Sequence, residues 1–209
     1  MSEVNTGLRA VLGHPLVYEL WSRAVGGVRC RRILVDEYVR AADGDRILDL
    51  GCGPGRVVEY LPAGVEYVGI DLNPDYIANA RARLGNAHRE FRVGDAAGMD
   101  SDLRGFDIVM VFALLHHLDD AAASDLFRRA AGALAPGGRI VTVDAVLTPD
   151  QSAAARAVIT RDRGQNVRTV EQYTALAADC FTDVVAHTRS DLLRIPYTHC
   201  MLEGRRKPS

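Results

Sequence analysis

One stretch of ten residues constrains the fold of this chain more than any other. Residues 47–56 read ILDLGCGPGR: three apolar residues surround Asp49, and glycines then occupy every second position from Gly51 to Gly55. A short apolar run bounded by turn residues is typical of a buried parallel strand, and glycines permit positive φ and close approach of a ligand to the backbone. We therefore predict a strand, a glycine loop and a helix over residues 56–61, whose N-terminal N–H groups would face a nucleotide-like anion.

A second acidic residue follows at a distance that suits a nucleoside. Asp71 ends the apolar run 68–70, twenty residues after Gly51. An acid at the end of a second parallel strand is placed to accept hydrogen bonds from both ribose hydroxyls. A nicotinamide dinucleotide site would need a small residue at position 56, where this chain has Arg56, so a dehydrogenase is disfavoured.

Together these two segments resemble the first motifs of the class I S-adenosylmethionine (SAM)-dependent methyltransferases. Three later segments resemble the same family: Gly94-Asp95-Ala96, the L-H-H-L sequence of residues 115–118, and the L-x-P-G-G sequence of residues 134–138. The resemblance is specific over about residues 46–144. A plain glycine turn capped by Asp49 is the alternative interpretation of the loop.

The resemblance implies a SAM site whose residues lie at the ends of successive strands. Asp49 would fix the methionine ammonium group, Asp71 the ribose and Asp95 the adenine amino group, although a plain loop aspartate would look the same as Asp95. Leu72 would cover one face of adenine, and the backbone of Phe112 would contact the methionine end. The full set of expected cofactor-binding residues is Tyr18, Asp49, Gly51, Cys52, Gly53, Asp71, Leu72, Gly94, Asp95, Ala96, Phe112 and His117.

Candidate catalytic residues follow the fourth strand and open the last one. His117 lies where ligands bind in open α/β sheets and is a candidate to accept a proton from the methyl acceptor. The alternative is that His117 only caps the following helix. Tyr197 and His199 are two residues apart, so both would face one side of a strand. No metal site is expected, because adjacent His116 and His117 lack the i, i+4 spacing of a helical zinc pair.

The alternation of apolar strands and helices predicts a Rossmann-like α/β fold: a seven-stranded, mostly parallel sheet with helices on both faces and an antiparallel last strand. We predict one domain over residues 1–209, in which residues 1–44 form a helical lid. Tyr18 and Trp21 would be lid residues, or would simply pack this prefix onto the domain. Strands over residues 181–188 and 195–202 would form a tight hairpin, and the remaining helices are predicted over residues 76–84, 124–134, 153–161 and 170–179.

Composition limits the partners of this protein. With 209 residues and a net charge of -2, the chain has no basic stripe for nucleic acid, so we expect a small-molecule acceptor. No apolar window is long enough for a membrane helix, residues 1–5 lack signal-peptide features, and four widely spaced cysteines indicate reduced thiols in the cytoplasm. Arg161, Arg163 and Arg168 are either binders of an acidic acceptor or solvated side chains.

The expected activity is methyl transfer from SAM to an oxygen, nitrogen or carbon atom of that acceptor. The alternative left open is a non-catalytic SAM-binding sensor or partner subunit, and the sequence leaves the oligomeric state open. Residue pattern alone does not identify the acceptor.

Overall fold

The computed structural model describes residues 22–98, 103–161 and 164–207. Seven strands form one sheet in the order β3-β2-β1-β4-β5-β7-β6. Their bounds are β1 Arg46–Leu50, β2 Glu66–Asp71, β3 Arg89–Val93, β4 Phe106–Phe112, β5 Leu134–Ala145, β6 Phe181–Arg189 and β7 His199–Arg206.

Strand direction follows the predicted fold class. Strands β1 to β5 pair in parallel, whereas β7 is antiparallel to both of its neighbours, β5 and β6. The chain builds outward from β1 to β3 and then returns to place β4 on the other side of β1. The carboxyl ends of β1 and β4 therefore border the crevice at which open α/β sheets bind ligands.

Besides the helical residues 22–24, α-helices of the described residues accompany the sheet. They are α1 Gly27–Ile33, α2 Pro74–Leu84, α3 Asp120–Ala133, α4 Ala153–Ile159 and α5 Val170–Ala178. A π-helical segment, Leu34–Val39, continues α1. Two side chains cap their helices as their residue types favour: Asn73 accepts from two N–H groups of α2, and Thr169 forms a capping box with Gln172 on α5.

Two apolar clusters cover the two faces of the sheet. One joins alternate residues of the central strands to α3 and α5. The other joins the intervening residues to α1, the π-helical segment and α2. The second cluster places residues 27–39 against the sheet face that carries Asp49. Tyr18 and Trp21, the lid candidates, lie outside the described residues, and the single-domain arrangement with a lid over residues 1–44 stays a prediction.

Two local predictions are wrong. Residues 56–61 do not form a helix; they contain only a single 3-10 turn, Val58–Tyr60. Leu61 is extended, with φ -74° and ψ 152°, because the following Pro62 disfavours the helical region for the preceding residue. The glycine loop therefore has no α-helix N-terminus to face an anion.

The second wrong prediction is the tight hairpin between β6 and β7. Residues 190–198 connect these strands as a longer loop, whose Leu192 is buried in the cluster on the α1 face. The Arg194 N–H donates to the Val25 carbonyl at 2.8 Å. The connection thus docks onto the N-terminal helical region instead of turning at once. No helix in the part of the chain that the structure describes is long and apolar enough to span a membrane.

Candidate active site

The glycine loop is tied to the carboxyl end of β2 by hydrogen bonds. The N–H groups of Gly51 and Cys52 donate to the Ile70 carbonyl at 2.8 and 3.0 Å. The Gly53 N–H donates to Asp71 Oδ2 at 2.8 Å, and the Asn73 N–H donates to Asp71 Oδ1 at 2.8 Å. The Asp71 carboxylate is therefore held at the strand end with each oxygen fixed by one backbone donor, and it retains lone pairs for a ligand.

Close packing explains the glycine at position 51. Its φ is +78°, and a Cβ there would lie 3.0 Å from Leu114 Cδ2 in the loop after β4. A side chain would therefore push apart the loops that border the crevice. At Gly53, by contrast, a Cβ would meet no described atom within 4 Å, which leaves space for a ligand beside Asp71.

Asp49 lies under the same loop as a buried carboxyl group. It is 2% exposed, and its Oδ2 accepts a hydrogen bond of 2.7 Å from the Tyr67 hydroxyl. Burial raises the pKa of Asp49 from its ordinary value of 3.8 to about 7, although the Tyr67 hydrogen bond opposes this rise. Asp49 is thus poised to change charge near neutral pH when a cationic group approaches.

The ends of β2 and β3 present apolar surface beside polar groups. Leu72 and Val93 are 44% and 51% exposed, which is unusual for large aliphatic side chains. The Gly94 N–H donates to the Asp71 carbonyl at 3.0 Å, and Asp95 is exposed while Ala96 is buried. Exposed apolar side chains and an exposed carboxylate therefore occur together at the ends of β2 and β3.

The end of β4 carries the histidines. Phe112 is the last residue of β4, and Ala113 has a positive φ of 54°. A short 3-10 helix, Leu115–His117, follows. His117 is partly buried, and its ring centroid lies 4.2 Å from that of His116.

A buried His–Asp pair lies behind His117, and the sequence-based reasoning missed it. His116 Nδ1 lies 2.7 Å from Asp144 Oδ1 on β5, and the His116 N–H donates to the same oxygen at 3.1 Å. Burial raises the pKa of Asp144 while the His116 hydrogen bonds lower it. Asp144 Oδ2 is buried with no hydrogen-bond partner among the described residues. An acid at the end of the otherwise apolar fifth strand was the available signal.

Arg168 is buried, so its interpretation as a solvated side chain is wrong. Its guanidinium donates to the carbonyls of Leu115, Leu118 and Asn166 and to Asp120 Oδ1 at 2.7–3.2 Å. At 5% exposure it fixes the loop after β4 to the segment before α5. Arg161 is exposed, and Arg163 lies outside the described residues.

Tyr197 and His199 lie at the same edge of the sheet but one strand beyond β5. Their ring centroids are 4.7 Å apart, as expected for side chains on one face. His199 pairs with Ala145 at the end of β5 and is buried on the α1 face, whereas Asp144 and its partner His116 lie on the α3 face. His199 and the His116–Asp144 pair therefore lie on opposite faces of the sheet.

A cavity of about 480 Å³ adjoins Tyr197. It is bordered by residues from the segment after β5 and from the β6–β7 connection, and many of these carry hydroxyl groups. Arg189, the cationic residue in its described lining, already contacts Glu37 and Asp191. A cavity of this size suits a small molecule.

Comparisons with known proteins find methyltransferases. Residues 47–138 match the family model described as a methyltransferase domain. The chain is 30% identical over 173 residues to phosphoethanolamine N-methyltransferase 1 of Arabidopsis thaliana, a match that covers 80% of this chain and 35% of that protein. It is 31% identical over 162 residues to 27-O-demethylrifamycin SV methyltransferase of Amycolatopsis mediterranei, covering 70% of this chain and 59% of that enzyme.

A solved structure shares the fold. The phosphoethanolamine N-methyltransferase 2 of Haemonchus contortus, in complex with S-adenosyl-L-methionine, superposes with a TM-score of 0.75 at 17% identity, covering 98% of this chain and 60% of that chain. This likeness concerns the fold alone. The chain spans about a third of the length of the Arabidopsis relative.

Proposed function

We propose that this chain, which belongs to the class I S-adenosylmethionine-dependent methyltransferases, binds SAM at the carboxyl ends of β1, β2 and β3 and transfers its methyl group to a small-molecule acceptor. The observation that carries this proposal is the Asp71 carboxylate, which the Gly53 and Asn73 N–H groups hold at the end of β2. A carboxylate fixed in this way accepts hydrogen bonds from the two ribose hydroxyls without further rearrangement.

The remaining parts of the cofactor site are assigned by chemistry. Asp49 binds the cationic amino group of the methionine end, and the Phe112 backbone borders the same end. Leu72 and Val93 cover adenine, and Asp95 receives its amino group. Gly51, Cys52, Gly53, Gly94 and Ala96 supply the backbone that surrounds the ligand.

SAM supplies a methyl group that its sulfonium has already activated for displacement. The acceptor atom forms the new bond to the methyl carbon as the sulfur–carbon bond breaks in line, and the sulfur leaves as a thioether. The residues of this chain therefore need to align the acceptor, exclude water and, for a protonated acceptor, receive its proton.

His117 is the proposed proton acceptor. His116 supports it: the hydrogen bonds from His116 to Asp144 hold the 3-10 turn, and the His116 ring packs against that of His117. Tyr197 and His199 are proposed to contact the acceptor from the opposite face, where Tyr197 borders the 480 Å³ cavity.

The net charge and the cysteines of the chain support a small-molecule acceptor and a cytoplasmic location. The net charge of -2 offers little attraction to nucleic acid. The four cysteines carry free thiols, three of them buried, and a reducing compartment keeps thiols in this state.

Two variants test the proposal in one series of measurements. In Asp71→Asn, we expect the affinity for S-adenosylhomocysteine, measured by calorimetry, to fall at least about tenfold, because charge-assisted hydrogen bonds become neutral ones. In His117→Gln, we expect that affinity to stay within about threefold while kcat for a hydroxyl acceptor, found with a small-molecule panel, falls by about 10²–10⁴.

Asp75→Asn is the matched control, because it makes the same charge change at an exposed position in the first turn of α2. Unchanged affinity in a folded Asp71→Asn protein would remove Asp71 from the site, and tighter binding of NAD than of S-adenosylhomocysteine would overturn the cofactor assignment. Unchanged kcat in His117→Gln would exclude His117 as the proton acceptor.

A further inference from the structure

Tyr67 is a buried polar residue that the cofactor motifs do not explain. It lies on β2 with 1% of its surface exposed. Its hydroxyl donates to Asp49 Oδ2 at 2.7 Å, so it reaches across from β2 to the acid that precedes the glycine loop on β1. A buried tyrosine needs a partner for its hydroxyl, but an acid that itself lacks solvent is a costly choice if stability alone decides.

The local packing leaves room for this contact. Gly69, two residues along β2, has no side chain, and a Cβ there would lie 2.9 Å from both the Tyr67 ring and Cys52 Sγ. Gly69 also pairs with Asp49 across the β1–β2 ladder. The absent side chain therefore permits the Tyr67 ring to lie over position 69 and reach Asp49.

Few titratable groups of the described residues interact with the Asp49 carboxyl group. On its other side β1 pairs with β4 at Met110, which is apolar. Among the described residues, the titratable groups that interact with Asp49 are Tyr67 and Asp71 from β2 and the Cys52 thiol from the loop. Asp71 disfavours a negative charge on Asp49, whereas the Tyr67 hydroxyl favours it.

We propose that Tyr67 is a positioning residue for the cofactor site: its hydroxyl holds the Asp49 carboxylate in place and favours its anionic form for the amino-acid end of SAM. This inference rests on the proposed function for its ligand, but the Tyr67–Asp49 coupling can be measured without a ligand. Tyr67 does not touch the cofactor; it acts through Asp49.

The coupling has a defined dependence on pH. The pKa of Asp49 in the folded protein is about 7, whereas its ordinary value is 3.8. Between these values the folded state binds a proton that the unfolded state lacks, so the stability contributed by this proton is lost as pH rises through 7. Loss of the Tyr67 hydroxyl removes an interaction with the Asp49 carboxylate anion. The titration midpoint of Asp49 in the folded protein therefore moves to higher pH, by about one unit for a tenfold effect.

The first experiment follows unfolding by urea from pH 5 to pH 9 in the wild-type protein and in Tyr67→Phe. We expect the decline in stability to end at a higher pH in Tyr67→Phe, because it continues up to the pKa of Asp49 in the folded protein. Tyr173→Phe is the matched control: Tyr173 is also buried, but its hydroxyl donates to the Ala145 carbonyl, so its loss should lower stability without moving this midpoint. If Tyr67→Phe does not fold, Asp49→Asn must abolish the decline, and a decline that persists there overturns the proposal.

The second experiment titrates the same proteins with S-adenosylhomocysteine across this pH range. We expect wild-type affinity to rise as pH passes 7, and the rise in Tyr67→Phe to occur about one unit higher, so that affinity at pH 7 is several-fold weaker and recovers by pH 9. An equal loss at every pH would mean that Tyr67 only supports packing. If the wild type does not bind the ligand at all, the proposed function fails, while the unfolding series still decides whether Tyr67 controls Asp49.

Discussion

Arg168 illustrates how much a single buried side chain contributes at this edge of the sheet. Its guanidinium donates to the carbonyl groups of residues 115, 118 and 166, and the first two of these hydrogen bonds are buried. The guanidinium carbon Cζ of Arg168 lies 5.7 Å from the Tyr173 ring centroid, within the distance of a cation–π contact. One residue thus joins the loop after β4, the start of α3 and the segment before α5.

Replacing Arg168 with methionine should therefore be costly. We expect Arg168→Met to lower the free energy of unfolding by about 3 kcal/mol, because buried carbonyl acceptors lose their charged donor. Urea unfolding measures this change. Arg161→Met, a matched replacement of an exposed arginine that contacts the Ala157 carbonyl, should stay within about 0.5 kcal/mol. Equal effects of the two replacements would contradict the structural role of Arg168.

Single residues also mark the limit of prediction from sequence. Sequence alone draws attention to Asp49 and Asp71, because each ends or precedes a motif whose spacing carries a chemical meaning, and their roles stay predictions. Tyr67, Asp144 and Arg168 acquire their roles from partners on other strands or loops, and no local pattern encodes which partner a buried polar side chain will meet. Their interpretation needed the packed sheet.

At the scale of segments, residues 164–168 pack against the loop after β4. The Asn166 N–H donates to the His116 carbonyl at 3.0 Å. A Cβ added at Gly164 would lie 1.9 Å from His116 Cδ2, far inside contact distance. The backbone of Gly164 therefore lies directly against the ring that supports His117.

We expect Gly164→Ala to displace the His116 ring and so to misplace His117. Small displacements of this kind strongly reduce alignment, so turnover should fall at least about tenfold while the affinity for S-adenosylhomocysteine changes by less than about threefold. Parallel kinetics and calorimetry measure the two quantities. Gly132→Ala in α3 is the control, since a Cβ there meets no described atom within 4 Å and alanine favours a helix. Unaltered turnover in Gly164→Ala would show that residues 164–168 do not position His117.

Secondary structure was predictable where a strong period or a cap was present. Helices α2 and α5 begin close to their predicted starts, because Asn73 and Thr169 cap them. The prediction of a helix after the glycine loop is wrong because Pro62 limits this segment to one turn. The prediction of a tight β6–β7 hairpin is wrong because the length of this connection depends on its contact with residues 25–29. The sequence of the connection does not reveal this tertiary contact.

At the scale of the whole molecule, strand order determines where the site can be. Returning the chain after β3 places β4 beside β1, so the glycine loop, Asp71 and the histidine turn converge on one edge although they are far apart in sequence. The cavity beside Tyr197 extends the same edge beyond β5. The fold class was predictable because each strand and its turn signals were visible in sequence, whereas the cavity depends on loops that were not.

The most direct test of this account is a crystal structure of the protein with S-adenosylhomocysteine. We predict that both ribose hydroxyls donate to Asp71, that adenine lies between Leu72 and Val93, and that the amino-acid end reaches Asp49 below the glycine loop, with its sulfur directed toward His117. A ligand bound elsewhere, for example in the cavity beside Tyr197, with Asp71 still held only by the Gly53 and Asn73 N–H groups, would contradict the proposed cofactor site.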